Sequence, residues 1–191
     1  MEPYIIEGQK FEKINFAKNA LPANEFEECS FHFCDFSNVN LSSTLFTNCI
    51  FFGCQFNLTT IKNTGFRGVK FDQTKILGLQ FEDCNQFLLS LAFFKSSLTL
   101  SSFRSLVLKK IEFSECILTE VDFSFADLSG SSFQNTVLPR SVFFQTNLEK
   151  ADFTSAIDYA IDPDLNKVKK TKFSFPGLLG LLDKYDLDIR E

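Results

Sequence analysis

The sequence predicts an all-β fold in which the chain winds into a stack of similar coils around one apolar core. The first observation is an apolar residue at every fifth position, a period that fits neither an α-helix, which repeats about every 3.6 residues, nor a strand, which repeats about every two. The second is a small or β-branched residue two positions before each of these apolar centres. The positions between them are mostly polar, which indicates that they face water.

The repeat runs in two frames. Up to Phe153, successive centres alternate between Phe and Leu, and this frame extends upstream to Leu88. A separate frame of centres runs from Phe11 to Phe81. The step from Phe81 to Leu88 is two residues longer than one repeat, so residues 82–87 are predicted to absorb the extra residues as a bulge or small loop.

Two units of the repeat, ADLSG at 126–130 and ADFTS at 151–155, resemble the consensus of the pentapeptide-repeat proteins. That consensus is a small residue, Asn or Asp, Leu or Phe, and two polar residues. The resemblance implies a right-handed quadrilateral β-helix with four sides per coil, which gives about seven coils and stacks residues that are about twenty apart. Phe103, Phe123 and Phe143 should then form one interior column, with Phe and Leu columns on alternate sides.

The composition suits one domain with a continuous core, since the chain has 191 residues and is 45% hydrophobic. It holds no apolar run long enough to cross a membrane. Its first residues lack the basic and apolar regions of a signal peptide. We therefore expect a cytoplasmic protein that does not bind membranes.

Most of the six cysteines lie two positions before a centre, where the interior needs a small side chain. These are Cys29, Cys34, Cys49, Cys54 and Cys116. In a reducing compartment they are expected to be free thiols that pack as small apolar groups. Metal binding or redox use is the alternative, but interior positions on two different sides do not converge on one tetrahedral centre. Cys84 lies in the predicted slip and is not assigned.

The sequence offers little for catalysis. His32 is the single histidine, and it follows the centre Phe31, so its side chain should point outward while Cys34 points inward. A nucleophile, a base and an orienting partner are therefore not expected to meet. Phosphate-loop, HExxH and CxxC motifs are also absent. We predict a protein without enzymatic activity, cofactor or bound metal.

Between Ile111 and Pro139 the sequence contains carboxylates but neither Lys nor Arg. These residues, the candidate acidic band, are Glu112, Glu115, Glu120, Asp122 and Asp127. All should point outward around one coil. Two interpretations are open: a solvated coil whose charge Lys95 partly offsets by stacking near Glu115, or a band that imitates the phosphates of DNA for a DNA-binding partner.

Several Phe residues occupy positions that face outward. Phe33 and Phe52 are expected one coil apart on one side, and Phe125 and Phe144 likewise on another. Single surface aromatics are normal on soluble proteins, whereas a contiguous apolar stripe marks a contact with a partner. These four residues are therefore candidates for aromatic contact with another protein.

Three regions are expected along the chain. Residues 1–10 should cap the N-terminal end, with Ile6 as a poorly formed first centre, and the β-helix should span 11–157. Residues 158–191 should form a linker, a helix and a short strand that serve capping and dimerisation. The lysines of this tail are interpreted as a solvated edge, so direct binding of nucleic acid is not expected.

The predicted helix starts at Pro176, a residue favoured at the first helical position. Its apolar residues recur at helical spacing, and those assigned to dimerisation are Leu178, Leu179, Leu182 and Tyr185. A helix this apolar should not have both flanks in water. Capping of the last coil accounts for one flank, and contact with a second copy accounts for the other.

Segments 159–166 and 176–182 are also similar to the C-terminal end of the quinolone-resistance and microcin-immunity subgroup of these proteins. That resemblance implies a rod-shaped homodimer joined by its C-terminal elements. It further implies a non-enzymatic DNA mimic that binds a type II topoisomerase, DNA gyrase or topoisomerase IV, and protects it from quinolone or toxin poisoning. The alternative is a structural or adaptor β-helix that holds another protein through the exposed aromatic residues.

Overall fold

The computed structural model describes residues 4–185 and 187–188. In this part of the chain the strands pair in parallel with those of the neighbouring coils, and together they form a four-sided solenoid. Each of the four sides is identified by the first centre that it carries. Side 1 begins with Phe11, side 2 with Phe16 and side 3 with Leu21, and side 4 begins with Ile6.

Side 1 carries a sheet of nine strands. They are Lys10–Glu12, Ser30–His32, Ile50–Phe52, Val69–Asp72, Leu91–Phe94, Glu112–Ser114, Ser132–Gln134, Asp152–Phe153 and Lys172–Phe173. Side 4 carries Ile5–Glu7, Glu25–Glu27, Leu45–Thr47 and Gly65–Arg67. Side 2 carries Gln55–Asn57, Lys75–Leu77, Ser97–Thr99 and Ile117–Thr119. Side 3 has isolated bridges and a 3-10 helix, Phe81–Asp83.

The solenoid makes about eight turns. We count each coil from its first residue on side 4, where these residues pair between coils. Coils 1 to 9 begin at Ile5, Glu25, Leu45, Gly65, Asn85, Val107, Asp127, Asn147 and Lys167. The ninth coil is incomplete. The predicted number was lower because the coils continue at both ends: Ile6 is a buried centre, and Phe173 stacks on Phe153 with centroids 5.7 Å apart. The predicted linker after residue 157 is thus mostly the end of coil 8.

The register slip holds two extra residues, as predicted, but their position differs. Gly65 pairs with Asn85, twenty residues on, while Val69 pairs with Leu91, twenty-two residues on. The insertion therefore lies between Asn85 and Leu91. Leu88, predicted as a centre, is 64% exposed, so that assignment is wrong. Leu89 instead turns back and packs against the core.

Columns of aromatic rings fill the core. On side 1, the rings of successive coils stack with centroids 4.3 to 5.7 Å apart. Phe103, Phe123 and Phe143 form the predicted column on side 3, at 5.4 and 5.2 Å. Rings of the two columns meet edge to face, as Phe113 and Phe123 do at 77°. Such pairs each add about 0.5–1.5 kcal/mol beyond the burial of area.

The smaller inward position lies two residues before each centre. Polar side chains at this position donate hydrogen bonds to main-chain carbonyls of the previous coil. Thr64 Oγ1 donates to the carbonyl of Leu41 at 2.8 Å, and Thr136 Oγ1 donates to that of Phe113 at 3.1 Å. Cys49 makes the equivalent contact with Phe26, Sγ to O at 3.4 Å. All six cysteines are buried free thiols, which confirms the packing role predicted for those at this position.

A short helical segment closes the C-terminal end. It consists of a 3-10 turn at Pro176–Leu178, an α-helix at Leu179–Leu182 and a 3-10 turn at Asp183–Tyr185. A Cβ on Gly180 would lie 2.2 Å from the carbonyl oxygen of Tyr159, so only glycine permits this close approach. Leu181 packs against the core, which makes the segment a cap.

The strand predicted for 186–189 is not seen at Leu187 and Asp188, and its other residues lie outside the described part of the chain. No helix among the described residues is long and apolar enough to span a bilayer.

Candidate functional site

The acidic band runs once around the solenoid, from Glu112 in coil 6 to Asp127 at the start of coil 7, and most of its carboxylates have a cation nearby. Four of the five face a cation of a neighbouring coil. The pairs are Lys95–Glu115 at 3.9 Å, Arg104–Asp122 at 3.5 Å, Lys109–Asp127 at 3.5 Å and Arg140–Glu120, Nε to Oε1, at 3.0 Å. Cations of neighbouring coils therefore offset the charge that the segment 111–139 does not balance by itself, and the predicted position of Lys95 near Glu115 is confirmed. Glu112 is exposed and takes part in none of these pairs.

Neighbouring groups also favour the charged form of Asp127. Burial alone would raise the pKa of Asp127, but hydrogen bonds from Ser129 and the charge of Lys109 lower it by more, so the net pKa lies below its usual value. Asp127 Oδ1 accepts from Asn147 Nδ2 of the next coil at 3.0 Å. Since the contacts with Lys109 and Asn147 join neighbouring coils, they fix the position of the Asp127 side chain on the surface.

The predicted aromatic residues form two separate pairs. Phe33 and Phe52 meet edge to face on side 1, with centroids 5.3 Å apart. Phe125 and Phe144 meet in the same way on side 3, at 5.5 Å, and the Arg104 guanidinium lies 4.8 Å from the Phe125 ring. Phe33 is 52% exposed and Phe125 is 40% exposed. The pairs lie on different sides and about four coils apart, so they are two small patches rather than one stripe.

The ring of Phe33 packs directly over Gly53, where a larger residue would clash with it. A Cβ on Gly53 would lie 2.6 Å from the Phe33 ring, and His32 packs on the same cluster, 5.6 Å from the Phe52 centroid. His32 thus has aromatic neighbours. The nearby Cys34 is buried and donates to main-chain carbonyls.

The buried thiols of Cys49 and Cys116 are poor nucleophiles. Burial raises the pKa of Cys49 to about 12 and that of Cys116 to about 11, so both stay protonated at neutral pH. Among the described residues, no group of His, Cys, Asp and Glu side chains could hold a metal ion. The arrangement supports contact with macromolecules better than chemistry on a small substrate.

The residues assigned to dimerisation all lie in the helical segment of the cap, and we call their four exposed side chains the cap face. Leu178, Leu179, Leu182 and Tyr185 are 40%, 54%, 37% and 55% exposed. Leu181, in the same helix, packs against the core instead. The structure therefore leaves the four residues assigned to dimerisation exposed.

Ion pairs fix the cap to coil 8. Lys184 Nζ lies 2.6 Å from Asp162 Oδ1 and also contacts Asp164. These two carboxylates raise the pKa of Lys184. These ion pairs were not predicted, although the sequence shows the acidic residues Asp162 and Asp164 ahead of a single lysine in the helix.

The Pentapeptide repeats family model matches the chain in eight copies, at residues 25–63, 96–135 and 122–157. These segments cover more than half of the 191 residues. No curated protein sequence matches the chain at a significant level.

Solved structures share the fold. A trypsin-treated variant of QnrB1, a plasmid-mediated fluoroquinolone resistance protein, aligns with a TM-score of 0.50 and 18% identity over 98% of each chain. Full-length QnrB1 aligns with a TM-score of 0.47 and 16% identity, over 96% of this chain and 100% of QnrB1. HetL, which is involved in regulating heterocyst differentiation in the cyanobacterium Nostoc, aligns with a TM-score of 0.41 and 14% identity, over 90% and 85% of the two chains.

Proposed function

This chain belongs to the pentapeptide-repeat family, and we propose that it is a non-catalytic binding protein that acts as a homodimer on a type II topoisomerase. In this proposal the rod occupies part of the DNA-binding saddle of DNA gyrase or topoisomerase IV and protects the enzyme from poisoning by a quinolone or a toxin. The target class is taken from the fluoroquinolone resistance of QnrB1. The fold shared with QnrB1 is the background of the proposal, and the surfaces of this chain supply the argument.

The exposed cap face is the observation that carries the proposal. Its apolar side chains lie at the tip of the rod, and burying each large apolar side chain contributes about 1.5–3 kcal/mol. A second copy placed against the same face gives an isologous contact. Two rods would then extend in opposite directions from a central twofold axis, and that symmetry matches a twofold symmetric topoisomerase.

The acidic band lies about two coils from the cap, so two bands would flank the centre of such a dimer. Its surface ion pairs are each worth only about 0–1 kcal/mol. Basic residues of a partner can therefore replace Lys95, Arg104 or Arg140 at small cost. In this way the band contributes to binding even though it is compensated in the free protein.

A supercoiling assay of DNA gyrase with a quinolone tests the proposal. We expect the protein to restore supercoiling in the presence of the drug, and we expect Glu112→Gln, Glu120→Gln and Asp122→Asn together to weaken this effect, mainly at low salt where charges are least screened. A matched control neutralises three carboxylates of coil 2 instead, Glu25→Gln, Glu27→Gln and Glu28→Gln.

The results of this assay test separately how the protein binds and which enzyme it binds. Unchanged protection after removal of the acidic band would contradict contact through charge. Absence of any effect on poisoned gyrase and topoisomerase IV, in a protein shown to be folded, would contradict the target itself.

The two aromatic pairs favour a second candidate, an adaptor that holds a different protein. Their exposed rings resemble the aromatic anchors of protein interfaces. A partner bound in this way should show little dependence on salt. Phe33→Ala or Phe125→Ala should then weaken binding, and Glu112→Gln should leave it unchanged.

A further inference from the structure

The outward residues of side 4 change in character along the rod. Near its N-terminal end, coil 2 presents Glu25, Glu27 and Glu28, which are partly or fully exposed. The ion pairs formed within residues 4–185 and 187–188 do not include any of the three. Coil 2 therefore offers three carboxylates that could face a cation from outside the chain.

The C-terminal end of the same side has the opposite charge. Coil 9 presents Lys167, Lys169 and Lys170, all exposed, and the ion pairs of the described residues leave these three out as well. They hold the same three positions of the repeat as the glutamates of coil 2, because Glu25 and Lys167 both begin their coils on side 4.

The middle of side 4 combines exposed apolar residues with two exposed lysines of coil 6, Lys109 and Lys110. The insertion in coil 5 presents Phe87 and Leu88, which are 66% and 64% exposed, and coil 6 follows with Val107 at 64%. The Arg67 guanidinium of coil 4 lies 5.3 Å from the Phe87 ring and holds it against the side. Three large apolar residues thus lie uncovered midway between the acidic and the basic coils.

We propose that side 4 is a self-complementary surface that pairs two copies of this chain in antiparallel orientation. The twofold axis would lie in the plane of side 4, perpendicular to the rod, between coils 5 and 6. Rotation about it places coil 2 of one copy opposite coil 9 of the other, at both ends of the pair. The order of residues across the side is kept, so Glu25, Glu27 and Glu28 face Lys167, Lys169 and Lys170.

The same axis matches the rest of the side. It places Phe87 and Leu88 of coil 5 opposite coil 6, where Val107 offers apolar surface and the exposed Lys109 and Lys110 offer cations for the Phe87 ring. It also places Arg67 of coil 4 opposite coil 7, which begins with Asp127. Agreement of three separate coil pairs on one axis is what an isologous contact requires.

Self-complementarity is the reason to choose a second copy as the occupant. A nucleic acid would match the basic end alone and would be repelled by coil 2. Side 4 is narrow, and its nine coils span ~40 Å at the spacing of paired strands, so the pair should be transient, like other small interfaces. The pairing leaves the cap face free and does not depend on the proposed topoisomerase function.

Charge reversal tests the pairing directly, in a background with Leu178→Asp and Leu182→Asp to block association through the cap. One variant carries Glu25→Lys, Glu27→Lys and Glu28→Lys, and the other carries Lys167→Glu, Lys169→Glu and Lys170→Glu. Each variant alone has like charges at both ends of the pair. Sedimentation equilibrium at low salt should show that its dissociation constant for self-association rises by about tenfold or more.

An equimolar mixture of the two variants supplies the decisive result. Opposite charges then face each other at both ends, so the mixed pair should form about as tightly as the unreversed protein, and about 0.5 M salt should weaken it. A matched control, Glu12→Lys, Glu112→Lys and Glu115→Lys on side 1, should pair normally. The inference is overturned if the unreversed background stays single at all concentrations, if reversal has no effect, or if mixing fails to restore pairing.

Discussion

The smaller inward residue of the repeat has a role in hydrogen bonding that its size alone does not reveal. The smaller inward position requires a short side chain and also favours a donor, as Thr64 and Cys49 show by donating to carbonyls 23 residues earlier. The sequence indicates the small volume, because the period is local. It does not indicate the hydrogen bond, because the acceptor lies in the previous coil.

Phe123 provides the residue-scale test of the core. It is fully buried and stacks between Phe103 and Phe143. Phe123→Ala should lower the free energy of unfolding by about 3–5 kcal/mol, because coils fixed by their neighbours cannot collapse into the cavity. Urea denaturation measures this change.

The control is Phe175→Ala, since Phe175 is 88% exposed and its loss should change the free energy of unfolding by about 0.5 kcal/mol or less. Similar values for the two variants would place Phe123 outside the core and contradict the column.

Among the elements, the repeats were predictable and their interruptions were only partly so. The excess of two residues was visible in the spacing, but three successive apolar residues, Phe87, Leu88 and Leu89, allow more than one frame. Packing selects Leu89. In the same way, helical spacing predicted an apolar cap after Pro176, but it did not show that Leu181 is the residue that faces the solenoid.

The cap offers an element-scale test with a matched pair of residues. Leu181 packs against the core, whereas Leu179 is 54% exposed. Leu181→Ala should destabilise docking of the cap by about 1–2 kcal/mol, because part of a leucine side chain loses its apolar contacts. Hydrogen exchange should then become faster at the amide of Ile161, which donates to the carbonyl of Gly180 at 2.9 Å.

Leu179→Ala should leave that amide as protected as in the unaltered protein. Equal exchange at Ile161 in the two variants would mean that the cap is held by its ion pairs and backbone contacts instead of by Leu181.

At the scale of the whole molecule, folding into a solenoid brings together residues that are far apart in the sequence. The acidic band looked uncompensated because 111–139 contains no cation, yet Lys95 and Arg140 reach it from the neighbouring coils. The acidic, apolar and basic parts of side 4 likewise lie far apart in sequence and share one surface only after folding. Period and composition thus predicted the architecture, while surface properties depended on which coils became neighbours.

The central claim is that the protein acts as a dimer joined through its cap face. The most direct measurement combines sedimentation and gyrase protection for the variant with Leu178→Asp and Leu182→Asp, in dilute protein at about 0.15 M salt, where charge-based pairing is screened. We predict a folded single chain that no longer protects gyrase from a quinolone, while Phe175→Ala, at an exposed residue outside the cap face, remains dimeric and protective. A single chain with full protection would contradict the account.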